Sequence, residues 1–199
     1  MSIFGTLVEG GAVEKATELT LKTWIDTYLA EVERQSARVA GSIQRPRSWI
    51  NVSDFEKWQA LPCIMIISPG LSDVPVRDGN GYYRAVWTLG IAAIISARTK
   101  EMALSLSRAY GAAIRGVMLQ HRSLDGQAQG VSWLDERYDD LPDDRRILTA
   151  VRLVFDVEMD KITSTKAGPV DPVPLTGSPP PAYGNLPVTD TTTVEGGLT

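Results

Sequence analysis

From Ile147 to Asp160 the chain alternates with a period of two. Ile147, Thr149, Val151, Leu153, Phe155, Val157 and Met159 fall on one side, and Leu148, Ala150, Arg152, Val154, Asp156, Glu158 and Asp160 on the other. Successive β-strand side chains point to opposite faces, so this segment is a long strand with one face in a core. Its second face starts apolar and ends acidic, as expected of a strand that emerges into solvent or meets a partner. Tyr82 to Ser96 repeats the pattern, with Tyr83, Ala85, Trp87, Leu89, Ile91, Ala93 and Ile95 sharing a face. Here the opposite face changes from Arg84 to Ile94, which predicts a strand whose second half is covered on both sides.

Two shorter strands are predicted beside these. Cys63 to Ile67 is an apolar run bounded by Pro62 and by Ser68-Pro69-Gly70, and Val131 to Tyr138 is the other. Helical spacing places Leu21, Trp24, Ile25, Tyr28, Leu29 and Val32 on one stripe of a helix that ends before Gly41. Thr99 is positioned to cap a second helix, with Met102, Leu106, Tyr110, Ala113, Ile114, Val117 and His121 facing inward. Gly111 and Gly116 weaken that helix by about 1 kcal/mol each relative to alanine, and close approach to the sheet is a reason to tolerate them. Ser53-Asp54-Phe55-Glu56 has the form of a capping box, predicting a short helix stopped by Pro62. The sum is an α+β domain over residues 1–162: a mostly antiparallel sheet of about four strands with two main helices packed on it.

From residue 163 to 199 the composition changes. Pro169, Pro172, Pro174, Pro179, Pro180, Pro181 and Pro187 are interspersed with Gly, Ser and Thr, around a single Tyr183. No core can form there, so the segment reads as an extended arm that a partner or a neighbouring subunit must order.

Chemistry is sparse. With one cysteine, Cys63, and one histidine, His121, more than fifty positions away, the chain lacks a zinc ligand set. Cys63 lies in an apolar run and reads as a buried, inert thiol. His121 reads as a helix-end residue that caps carbonyls or packs at the core edge. Gly79-Asn80-Gly81 joins two strand-like segments, which makes it a hairpin turn and not a phosphate loop. Asp139, Asp140, Asp143 and Asp144 form an acidic turn without calcium-loop spacing, and Arg145 and Arg146 follow to pair with those acids. No catalytic, cofactor or metal site is expected. A net charge of -4 also lacks the basic excess by which DNA binders hold phosphates, although it allows DNA to pass without being held. No window approaches the roughly 18 apolar residues of a membrane span.

What remains is contact with other proteins. Candidate contact residues are the turn from Asp139 to Arg146, the Gly79-Asn80 hairpin, the arm at Pro169, Pro172, Pro179, Pro180, Pro181 and Tyr183, and Trp49 and Trp58, which flank the capping box. Trp24, Trp87 and Trp133 lie on apolar faces, where core packing is expected.

The segment Asp54-Phe55-Glu56-Lys57-Trp58-Gln59-Ala60-Leu61-Pro62 followed by Cys63-Ile64-Met65-Ile66-Ile67-Ser68-Pro69-Gly70 resembles the tail-terminator proteins of long-tailed bacteriophages. The resemblance extends in order of elements over residues 13–162 and leaves out the arm. It implies a small α+β subunit of the virion neck, forming a hexameric ring with copies of itself. That ring would cap the tail tube, stop its polymerisation and dock the head connector, with genomic DNA passing through the lumen. It brings no active site and no cofactor. Two rivals remain: another neck or tail component, such as a head-closure or tail-tube subunit, and a small enzyme or ligand-binding domain. The second requires a deep pocket at His121 with convergent polar groups.

Overall fold

The computed structural model describes residue 8 and residues 11–50, 60–143 and 145–164. Among them the order is α1 (Gly11–Gln35), β1 (Ser48–Ile50), β2 (Cys63–Leu71), β3 (Val76–Arg77), β4 (Tyr82–Ala97), α2 (Lys100–Gln120), β5 (Gly130–Leu141) and β6 (Ile147–Ser164). The protein is α+β. The predicted capping-box helix, Trp58 and the proline-rich arm lie outside the described residues.

One sheet contains all six strands, in the order β1-β2-β4-β6-β5, with β3 paired to β4 on the side that β2 occupies. The two long strands form its spine: Tyr82 to Ala97 pairs antiparallel with Ile147 to Ser164. The four expected strands are present, joined by two short ones. β1 and β3 have three and two residues, too few to display a period, and β1 runs parallel to β2.

Both helices pack on the same face of the sheet. Leu21, Ile25 and Leu29 of α1, Tyr110, Ala113, Ile114 and Val117 of α2, and Leu89, Ile91, Leu153, Phe155 and Val157 of the sheet share one core. α1 begins nearly three turns earlier than the apolar stripe suggests, because Val13, Ala16, Thr17 and Thr20 fill its buried positions there; Thr20 turns its hydroxyl back to the Ala16 carbonyl at 2.9 Å. Thr99 caps α2 as expected, its Oγ1 accepting from the Met102 N–H at 3.2 Å. Met102 itself is exposed, contrary to expectation, since Ala103 and Ser107 take the inward positions.

The two glycines of α2 serve different approaches. A Cβ at Gly111 would stand 2.8 Å from Glu136 Oε1 and 3.2 Å from Val151 Cγ2, so this glycine does admit the sheet. One at Gly116 would stand 2.8 Å from the Tyr28 ring, so this glycine admits α1 instead. On the face away from α1 and α2, Cys63, Ala92, Ile94, Leu148 and Ala150 are buried, and the second half of β4 is therefore covered on both sides. Burial also pushes the Cys63 thiol up from its ordinary range, which keeps it protonated and unreactive.

Candidate interaction surface

Large apolar side chains left in water are concentrated at the sheet margins. Of the ten among the described residues, Leu71, Val74 and Val76 lie at the β2–β3 margin, and Trp133, Leu134 and Tyr138 lie on β5, the opposite edge strand. Val74 is 78% exposed and Leu134 55%. Each margin is built by a local departure from regular pairing. At the first, β1 covers only Cys63, Ile64 and Met65, so β2 from Ile66 onward has no neighbour on that side among the described residues. A register shift between Ile67 and Gly70 follows, with Pro69 in it, before Leu71 pairs with Trp87. At the second, a register shift between Trp133 and Asp135 leaves Leu134 without a partner in the ladder.

The β5 margin is tied to α2. Trp133 was expected in the core, but it is 44% exposed: its ring lies at the sheet edge beneath Arg115, whose guanidinium carbon is 4.8 Å from the ring centre. Arg115 also pairs with Glu136, and Glu136 accepts the Tyr138 hydroxyl. Burial, then the Glu136 carboxylate, push that phenol up to about 12. The aromatic groups of this edge are thus held in place before any partner arrives.

The residues nominated from sequence fall into three groups. Asp139 and Asp140 are strand residues of β5, opposite Ala150 and Thr149, which corrects the reading of a turn beginning at Asp139. Acidic residues disfavour strands, but here β6 supplies an uninterrupted ladder and Arg152 and Lys100 pair with the two acids at 3.6 and 2.5 Å. Asp143 does form the turn: its carboxylate accepts the backbone N–H groups of Arg145 and Arg146, both at 2.8 Å, and these with the Arg146 side chain hold its pKa below the usual range. Gly79 and Asn80 occupy the β3–β4 hairpin, where Asp78 accepts from the N–H groups of Asn80 and Tyr82 at 2.9 and 2.8 Å. Trp49 is half-buried against the core with the Lys22 ammonium 5.5 Å from its ring centre. Trp58, Asp144, Pro169, Pro172, Pro179, Pro180, Pro181 and Tyr183 lie outside the described residues. The margin residues Leu71, Val74, Val76 and Leu134 were missed, because their exposure comes from register shifts and a short β1 that no periodicity announces.

His121 caps α2, its N–H on the Val117 carbonyl. Its ring stacks on Trp24 with centroids 4.4 Å apart. An open hollow of about 670 Å³ adjoins it, lined by Trp24, Tyr28, Glu31, Arg34 and Gln120 among others. Its polar groups satisfy one another: the Tyr28 hydroxyl donates to Gln120 Oε1 at 2.7 Å and lies 3.3 Å from His121 Nε2, while Arg34 is bound to Glu31. Among the described residues no three carboxylate, histidine or cysteine side chains are grouped to hold a metal, and no helix is long and apolar enough to cross a membrane.

No family model matches this chain, and no curated protein matches it. Among solved structures it is similar to a chain in the virion of a native gene transfer agent particle, with a TM-score of 0.40 and 14% identity over 70% of this chain and 97% of that one. A likeness this loose transfers neither a role nor a residue.

Proposed function

We propose that this chain is a structural subunit of a virion neck, the tail terminator, which assembles with copies of itself into a hexameric ring, caps the tail tube and presents a surface to the head connector. The observation that carries the assembly part is the surface itself. Six exposed large apolar side chains stand at two opposite sheet margins, where they are available to protein neighbours. The terminator part rests on the resemblance of residues 54–70 and on the order of elements, in which two helices on one face of a long-stranded antiparallel sheet agree with what that resemblance implies.

The test is a tube-length measurement. Tail-tube subunits polymerised in the presence of the purified full chain should give shorter tubes with the chain at one end only, as seen by electron microscopy with a tag on the chain. Tubes of unchanged length, or a chain incorporated along their walls, would overturn the terminator reading in favour of a tube component or another partner.

A further inference from the structure

Strand pairing carries level information across the whole sheet. Ser48, Cys63, Ile94, Ala150 and Asp139 form one row from edge to edge. The adjacent row runs from Trp49 through Ile64, Ala93 and Val151 to Tyr138. Because β1 and β5 run in opposite directions, Arg47 and Asp140 stand level with each other one step beyond the first row. Lower down, Leu71 is in the row of Val131, one pleat below Trp133 and the unpaired Leu134. At equal heights the two margins therefore carry a cation and an anion and, one row on, an aromatic and an aromatic, while their exposed apolar groups are offset from each other by one pleat.

We infer that the β1–β2–β3 margin of one copy docks against the β5 margin of the next, with the Arg47 and Trp49 levels of one aligned with the Asp140 and Tyr138 levels of the other, and this rests on the self-assembly reading above. Arg47 then faces Asp140, which also holds Lys100 of its own copy at 2.5 Å, Trp49 faces Tyr138, and the patch of Leu71 and Val74 meets that of Trp133 and Leu134 with an offset of one pleat. Two different margins meet, so the contact is heterologous and each copy can use both at once, which is the condition for a ring. The coincidence of the two upper rows favours closure over a climbing filament. The union is one of side chains and not a continued hydrogen-bond ladder. Pro69 has no N–H to offer, the Ser68 N–H is taken by Glu14 at 2.6 Å, and the register shift at Leu134 bends the other edge. Apolar contact supplies attraction at the base, and opposite charge at the top sets the register.

Val74→Asp and Leu134→Asp place a charge at each margin on residues that contribute little to the core. In full-length protein followed by native mass spectrometry and sedimentation, each variant alone should raise the midpoint concentration of assembly roughly tenfold or more. An equimolar mixture should then stop at a two-copy species, because the intact β5 margin of V74D can meet only the intact β2–β3 margin of L134D. Arg47→Asp and Asp140→Arg should each weaken assembly, and the double variant should recover it. If wild type assembles and all these variants assemble as wild type does, the assigned margins are wrong while self-assembly stands. A mixture that grows past two copies also overturns the assignment. Wild type that stays monomeric, both alone and with tail-tube subunits, overturns self-assembly and this contact together.

Discussion

The carboxylate of Glu33, near the end of α1, accepts the backbone N–H of Ile43 at 2.6 Å. It also accepts the N–H of Gly41 at 3.0 Å and lies 3.4 Å from Arg45. One buried acid thus ties the helix to the loop that leads into β1, the strand that ends one proposed contact margin. The Ile43 and Gly41 N–H groups, followed by Arg45, hold its pKa below the ordinary 4.5. A carboxylate depressed on folding stabilises the fold fully above 4.5, and that contribution is lost as pH falls through the folded value. Glu33→Gln should therefore melt below wild type at neutral pH, with the gap closing once the pH drops under 4.5. Melting curves at both pH values check this; a gap independent of pH would show that the charge has no part in holding the loop.

Gly116→Ala sets helix propensity against packing. Alanine gains about 1 kcal/mol in a helix interior, whereas overpacking costs about 1–3 kcal/mol. Packing should win, because the Tyr28 ring in the way is held at its hydroxyl by Gln120 and lies beside His121, leaving it little room to swing aside. The expected loss is about 1 kcal/mol in denaturant titration. Gly79→Ala, where an added Cβ meets nothing within 4 Å, should stay within about 0.5 kcal/mol of wild type. A stabilised G116A would mean that α1 and α2 are not pressed together here.

Thr149 is 1% exposed and its hydroxyl has no hydrogen-bond partner among the described residues. Leaving such a group dry costs about 1–3 kcal/mol in protein mutational data. Thr149→Val keeps the branched shape that suits a strand and removes the orphan, so it should stabilise by about 1 kcal/mol. Thr20→Val, which deletes a hydroxyl already bonded to Ala16, should bring no such gain. Equal effects from the two substitutions would contradict the account.

These sites also show where sequence was informative and where it was silent. β4, β6 and the core stripe of α1 were legible because long periodic runs record which face is buried. Thr99 was legible as a cap because its role is local. Trp133 was misread because period two assigns a face of the sheet without saying how far the helix layer extends over it; Arg115 of α2 lies over the ring, yet the ring stays 44% exposed. Met102 was misread because small residues, Ala103 and Ser107, can face a core as well as large ones when the helix lies close. The proposed contact margins were illegible as a pair, since the level of Arg47 with Asp140 exists only after five strands are placed in register.

The arm can be tested apart from the fold only if the cut respects the last strand. Thr163 and Ser164 pair with Tyr83 and Tyr82, and the Ile162 carbonyl accepts the Val8 N–H at 2.9 Å. A deletion of residues 163–199 therefore clips the sheet at the foot of β4 and should lower the melting temperature along with any function. A deletion of residues 169–199 spares every one of those pairings. It should melt as the full chain does, yet join fewer heads to tails when virions are assembled and counted by electron microscopy or infectivity. Joining that is unaffected by the shorter deletion would remove the arm from the mechanism, and the two sheet margins would then have to account for assembly on their own.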